Sequence, residues 1–350
     1  GVNKEKISIK DNFFELGGQS LKATLLIGQI YKKLEVKIAL KEFFENPVLE
    51  ELGMLIARSK KTTYINIEQA PVQQYYPLSA SQKRLFFLQE FAPESTSYNI
   101  PMINFIGKQI DKEKIRSSFD QLISRHESLR TSFVKIEGIP LQKIQGNVQF
   151  ELEEFKCQTH EFKDYLNSFV RTFDMNVAPL LRSAIVEIVN VGYFWVGDIH
   201  HIIGDGISRE VLKNDFFSLY KGETLENLRL QYKDFSVWQN EMIESGELES
   251  QKKYWLSQFS DSIPKLNFPN DHPRPAVFTF EGASIEFSID KHLTSKIKSF
   301  NKKRQTTLQM TLLSVLNVVL HKYTGKEDIA IGFGIAGRRH SDLEQIVGMF

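Results

Sequence analysis

Asp198-Ile199-His200-His201-Ile202-Ile203-Gly204-Asp205-Gly206-Ile207-Ser208 joins two segments of different periodicity. Before it, Tyr193 to Ile199 is apolar and aromatic, as in a buried strand. After it, Ser208 to Tyr220 places Val211, Leu212, Phe216, Leu219 and Tyr220 at helical spacing. The two histidines therefore stand at the end of a strand that turns into a helix. Successive strand side chains point to opposite faces, so His200 and His201 cannot share one role. One is expected to be chemical and the other structural. On its own, a pair of adjacent histidines is more often a packed strand end or a partial metal site than a catalyst.

The surroundings favour chemistry. His-His-x-x-x-Asp-Gly resembles the core motif of condensation domains in nonribosomal peptide synthetases, and four further segments resemble motifs of that family in the same order. They are Ser79 to Leu85 (SASQKRL), Arg125 to Phe133 (RHESLRTSF), Tyr232 to Trp238 (YKDFSVW) and Ile331 to Arg338 (IGFGIAGR).

A second motif lies upstream. Asp11 to Leu21 (DNFFELGGQSL) resembles the signature of peptidyl carrier domains, in which the serine accepts a 4'-phosphopantetheine arm. Gln19 stands where that family most often has histidine, a change that leaves the hydroxyl of Ser20 in place. Gly17 and Gly18 permit a tight turn, and Ser20 then opens a helix carrying Leu21, Leu25, Ile30 and Leu34. Free backbone N–H groups and the helix dipole favour a phosphodiester there. Taken together, the chain resembles a carrier–condensation pair from synthetases of the tyrocidine and gramicidin type.

Composition narrows the alternatives. The chain has 350 residues, a formal net charge of +1 and no long basic block, which argues against a general nucleic-acid or membrane-surface role. No apolar run approaches the ~18 residues of a membrane span and no signal peptide is evident, so the expected location is cytoplasmic. Cys157 is the only cysteine and reads as a bystander, and no metal site is expected.

The resemblance implies an α+β fold class: a small all-α carrier bundle, then a condensation domain of two chloramphenicol-acetyltransferase-like α/β lobes, the second incomplete. Residues 1–58 read as the carrier, whose first helix would lie before Gly1. Its later helices are expected after Ser20, around Lys41 to Glu45, and from Pro47 at a favoured helix start. Residues 59–74 read as a polar, flexible linker from which the carrier docks on several faces. Residues 75–266 read as the N-terminal lobe, with a helix over 110–125, paired strands at 181–189 and 193–199, and a helix over 235–245. Residues 267–350 read as the start of the second lobe, with strands near 284–289 and 328–333 and helices near 293–301 and 308–323. Trp238 and Trp255 read as core residues.

The resemblance implies that a donor acyl or peptidyl thioester on one carrier is attacked by the amine of an aminoacyl thioester on a downstream carrier. It implies that His201 faces the substrates and that His200 packs. It further implies an ion pair between Asp205 and an arginine, with Arg125 the first candidate and Arg130 the second. Gly206 would allow the backbone turn and Ser208 would cap the next helix. The implied partners are adjacent adenylation and downstream carrier domains and a phosphopantetheinyl transferase, with the protein itself a monomer. Two alternatives compete: an epimerisation or cyclisation relative, which shares the lobes and the histidine pair, and a noncatalytic carrier-binding scaffold. Gly204 to Ser208 and Ser97 to Pro101 look closer to enzymes joining two L-residues.

Overall fold

The fold was obtained as a computed structural model describing residues 5, 7–18, 20–261, 263–276, 282–304 and 306–350. By contacts the chain divides into two compact units. The larger comprises residues 19–248 and 336–350, and the smaller residues 1–18 and 249–335.

The core of the larger unit is a four-stranded sheet of β2 (Asn99–Gly107), β5 (Leu152–Cys157), β6 (Leu181–Ile188) and β7 (Gly192–His200) in the order β2-β7-β6-β5. Only the β5–β6 pair is parallel, and its crossover is helix α6 (Phe162–Phe169). β6 and β7 form the expected hairpin, with Asn190 at φ 64° and Gly192 at φ 139° closing it. As an inner strand covered on both faces, β7 is apolar almost throughout, including Trp195, Val196 and Ile199.

Helices α5 (Lys112–Arg125) and α7 (Gly206–Lys221) cover one face. Phe119 from α5 and Phe216 from α7 meet Trp195 with ring centroids 5.3 and 4.6 Å away. On the other face Phe169 of α6 packs with Val186, Phe194 and Val196. α7 starts at Asp205, whose side chain accepts the Ser208 N–H at 2.7 Å, and stops at Gly222 in the left-handed conformation. A second sheet of three strands has the order β1 (Tyr76–Pro77), β4 (Ile139–Ile144), β3 (Thr131–Ile136). Helices α4 (Ala80–Phe91) and α8 (Tyr232–Glu244) lie beside it.

Residues 20–58 supply α1 (Ser20–Leu34), α2 (Leu40–Glu45) and α3 (Leu49–Arg58) to the same unit. Pro47 stands outside α3, whose N-cap is Val48, so it is not the first helical residue as expected. Residues 59–75 form no helix or strand, but they are not the free coil expected of a polar linker. Ile67 is 1 % exposed and packs with Leu230, Phe235 and Ile346. Ala70 N–H donates to Asp234 Oδ1 at 2.8 Å, and Tyr64 Oη hydrogen-bonds Ser341 Oγ at 2.7 Å. The expectation failed because overall polarity hid one apolar anchor.

The smaller unit holds α9 (Glu249–Gln258), α10 (Lys291–Arg304) and α11 (Leu308–Thr324). Thr307 caps α11 at its start and Gly325 ends it in the left-handed conformation. The strands expected at 284–289 and 328–333 do not form. A strand exists through a paired neighbour, and among the described residues none pairs with either segment; Ile285 is 91 % exposed. Trp255 is largely exposed on α9, contrary to its expected core role, whereas Trp238 does pack beside the Phe235 cluster. Among the described residues no helix is long and apolar enough to cross a membrane.

Candidate active site

β7 ends at His200, and His201 begins a single 3-10 turn, His201–Ile203, before α7. The turn is clamped by hydrogen bonds along its backbone. His201 N–H donates to Tyr98 O at 2.7 Å. Ile202 N–H donates to His200 Nδ1 at 3.1 Å, and Ile202 O accepts from Gln82 Nε2 at 3.2 Å. Gln82 belongs to the first motif, where Ser79 and Gln82 exchange hydrogen bonds as a capping box at the start of α4. One early motif thus supports the histidine turn directly.

The histidines separate as the strand geometry requires. His200 is 1 % exposed, edge-on to Phe173, and its Nε2 lies 3.2 Å from Gln89 Oε1. Burial, with a smaller contribution from His201, lowers its pKa to about 4, so it is neutral near pH 7. His201 is half-buried, and its Nδ1 is buried without a hydrogen-bond partner. Among the described residues no carboxylate hydrogen-bonds that Nδ1 in the manner of a triad.

Asp205 is committed elsewhere. Its Oδ1 accepts from Ser208 N at 2.7 Å, Ser208 Oγ lies 2.8 Å away, and Arg338 Nη2 is 3.0 Å distant. Arg338 is 4 % exposed and lies over the Phe350 ring at 4.0 Å. It also donates to Leu343 O at 2.7 Å and to Ile346 O. Desolvation lowers the pKa of its guanidinium, against the opposing effect of Asp205. Ser208 Oγ in turn accepts the Gly348 N–H at 3.0 Å. No side chain is possible at Gly348, where a Cβ would fall 1.8 Å from the Tyr232 ring.

The arginine expected to pair with Asp205 is therefore neither Arg125 nor Arg130. Arg125 Nε donates to Asp215 Oδ2 at 2.8 Å, and the same oxygen lies 3.0 Å from His126 Nε2. Asp215 is ten residues further along α7 than Asp205, about 15 Å at the helical rise, so a guanidinium at that level cannot serve both. Arg130 donates to the backbone oxygens of Ile123, Gln145 and Ser124. Both arginines lock α5 into the lobe without touching the turn. Gly206 is exposed at the first position of α7 with open space where a Cβ would project. Cys157 is buried away from the turn, against α6.

The condensation-domain family model matches residues 72–350. The chain belongs to the condensation-domain family. A model of the phosphopantetheine attachment site matches residues 1–56. The chain is 43 % identical over 350 residues to gramicidin S synthase 2 of Aneurinibacillus migulanus, spanning all of this chain and 8 % of that protein. It is 41 % identical over 345 residues to tyrocidine synthase 3 of Brevibacillus parabrevis, 99 % of this chain and 5 % of that one. The chain thus spans less than a tenth of the length of either relative. The condensation domain from the monacolin K polyketide synthase shares the fold at a TM-score of 0.68 and 22 % identity, over 80 % of this chain and 67 % of that one.

The attachment-site match implies covalent 4'-phosphopantetheine. The residues fit it. Ser20 is the first residue of a 15-residue helix whose first turn contains no acidic side chain, and the free N–H groups of a helix start favour a phosphodiester. Gln19 lies outside the described residues.

Proposed function

We propose that the chain catalyses peptide-bond formation between a donor acyl or peptidyl group carried on Ser20 and the amine of a downstream carrier-bound aminoacyl group. Residues 1–58 act as carrier, 59–74 as linker and the remainder as the condensation domain. The matches to residues 1–56 and 72–350 support this division. The observation that carries the catalytic assignment is the His201–Ile203 turn. Its backbone is held by Tyr98 O, His200 Nδ1 and Gln82 Nε2, while the half-buried His201 ring has no hydrogen-bond partner at Nδ1.

When bound, the 4'-phosphopantetheine arm supplies a thiol on which the acyl group is held as an activated thioester. The protein's part is positioning and charge. An α-amino group has a pKa of about 7.7–8.0, so roughly a tenth is neutral at pH 7, and deprotonating it costs only about 1 kcal/mol. Aligning two tethered reactants and stabilising developing charge are larger demands, several kcal/mol each. His201 therefore acts first as a hydrogen-bonding group that orients the attacking amine, and its imidazole accepts the amine proton late. His200 supports the backbone of the turn, and Asp205 with Arg338 holds the start of α7. Adenylation and downstream carrier domains and a phosphopantetheinyl transferase are the implied partners, in a cytoplasmic setting.

The test is a single-turnover assay with a loaded Ser20 arm and a loaded acceptor carrier, read by mass spectrometry of the thioester products. His201→Ala should lower condensation by orders of magnitude with arm loading and melting temperature unchanged. Equal turnover in His201→Ala refutes the assignment.

A further inference from the structure

Gln89 lies outside the five condensation motifs, yet it is 4 % exposed at the last turn of α4. Its Nε2 donates to Pro93 O at 3.0 Å and to Ser95 O at 3.4 Å. Two carbonyl oxygens can only accept, so they settle which end of the amide is nitrogen and leave Oε1 facing His200 Nε2. An amide oxygen also only accepts. His200 therefore carries its proton on Nε2, and Nδ1 keeps the lone pair that receives the Ile202 N–H. The other tautomer would set lone pair against lone pair at Gln89 and N–H against N–H at Ile202.

We propose that Gln89 is a positioning residue for condensation: it fixes the tautomer of His200, which holds the Ile202 amide and with it the turn that presents His201. This rests on His201 being the reactive histidine, as proposed above. Pro93 and Ser95 take part through their backbone oxygens, so the loop after α4 is the far end of a relay running Ser95 and Pro93, Gln89, His200, Ile202, His201. Gln82 grips the carbonyl of Ile202 from the same helix. α4 thus orients the turn at both its N–H and its C=O side.

The experiment uses the whole chain with 15N-labelled histidine, the His200 signals being assigned by their loss in His200→Asn. In the parent, His200 should show a protonated Nε2 and a bare Nδ1. Gln89→Met keeps the length of the side chain and removes both its polar functions. It should show an averaged tautomer, a kcat lower by about 10- to 100-fold, the range a small misplacement of a reacting group produces, and an acceptor KM within about twofold of the parent. In His200→Asn the asparagine oxygen can still receive the Ile202 N–H but has no tautomer to set. Gln89→Met should then add little further loss of kcat, a non-additive cycle. A fixed Nε2–H tautomer in Gln89→Met, an unchanged kcat, or losses that simply multiply in the double variant would each overturn the proposal. If instead His201→Ala is fully active while the His200 signals respond to Gln89→Met as expected, the assignment of His201 has failed and the tautomer control has not.

Discussion

Asp205→Asn separates charge from hydrogen bonding at the start of α7. Asparagine is as good an N-cap as aspartate and presents a similar oxygen, so the bond to the Ser208 N–H survives. What is lost is the counter-charge to Arg338, whose side chain is fully buried while that of Asp205 is 13 % exposed. Removing one member of such a pair typically costs 3 to 5 kcal/mol, because the other charge stays buried without compensation. For a unit of this size each kcal/mol shifts Tm by about 2–4 °C, so a fall on the order of 6–20 °C is expected. Asp205→Ala also removes the cap and should cost about 1 kcal/mol more. The assay is thermal unfolding of both variants, with Arg338→Met and the double variant closing a cycle. A melting curve unchanged in Asp205→Asn, combined with lost condensation, would refute the structural role and place Asp205 in the chemistry.

Three further outcomes follow from the same structure. Ser20→Ala should abolish the single mass gain added by a phosphopantetheinyl transferase and coenzyme A, and persistence of that gain would show another attachment residue. His200 has a folded pKa of about 4 against about 6.5 unfolded, so its contribution falls as pH drops through 6.5 and levels off near 4, by about 3 kcal/mol in all. Chemical unfolding from pH 7 to pH 4 should show a smaller decline in His200→Asn than in the parent, and an equal decline would refute the assignment. Raising salt from about 0.05 to 0.5 M, where charge pairs are screened, should loosen α1 from residues 341–344 and increase proteolysis within residues 64–66; unchanged cleavage would count against a polar contact holding α1 there.

The local parts of this fold were legible because local physics sets them. The β6–β7 hairpin follows from two apolar runs around Asn190 and Gly192, and α7 from its apolar spacing, with Asp205 and Gly222 closing its ends. That His200 and His201 take different roles followed from strand alternation; which of them would face the substrates came from the family resemblance. The partner of Asp205 was not legible, since Arg338 lies 133 residues away and nothing local distinguishes it from Arg125. Arg338 ends the run from Ile331 to Gly337 but is followed directly by Arg339 and His340, so the sequence does not mark which of the three is buried against an acceptor. Gln89 carried no signal, because its role depends on two backbone oxygens that only the folded loop supplies.

A carrier that delivers its cargo as proposed above has to be both held and released, and α1 with residues 59–75 carries contacts of two kinds. α1 meets residues 341–344 mainly through polar groups: Gln29 Nε2 donates to Glu344 Oε1 at 2.8 Å and Lys32 Nζ to Asp342 Oδ1 at 2.8 Å. Desolvation pushes the Asp342 carboxyl up, but Lys32, Arg229 and His340 outweigh it and hold the carboxyl below the usual range. Separating such groups exchanges each bond for one to water, at a net cost of only about 0.5–1.5 kcal/mol per neutral bond and 1.5–3 where a charge takes part. Ile67 is different, because withdrawing it exposes apolar surface and frees the backbone oxygen that Arg229 holds at 2.8 Å. Residues 61–63 stay with α1, since Thr62 N–H donates to Glu35 O at 2.7 Å and Tyr31 Oη donates to Thr63 O at 2.8 Å. Release at the first contact and retention at Ile67 would therefore leave a tether of about three residues, roughly 10–14 Å when extended. For the proposed delivery, a tether that short would keep the effective concentration high, so a weak docking contact would be enough.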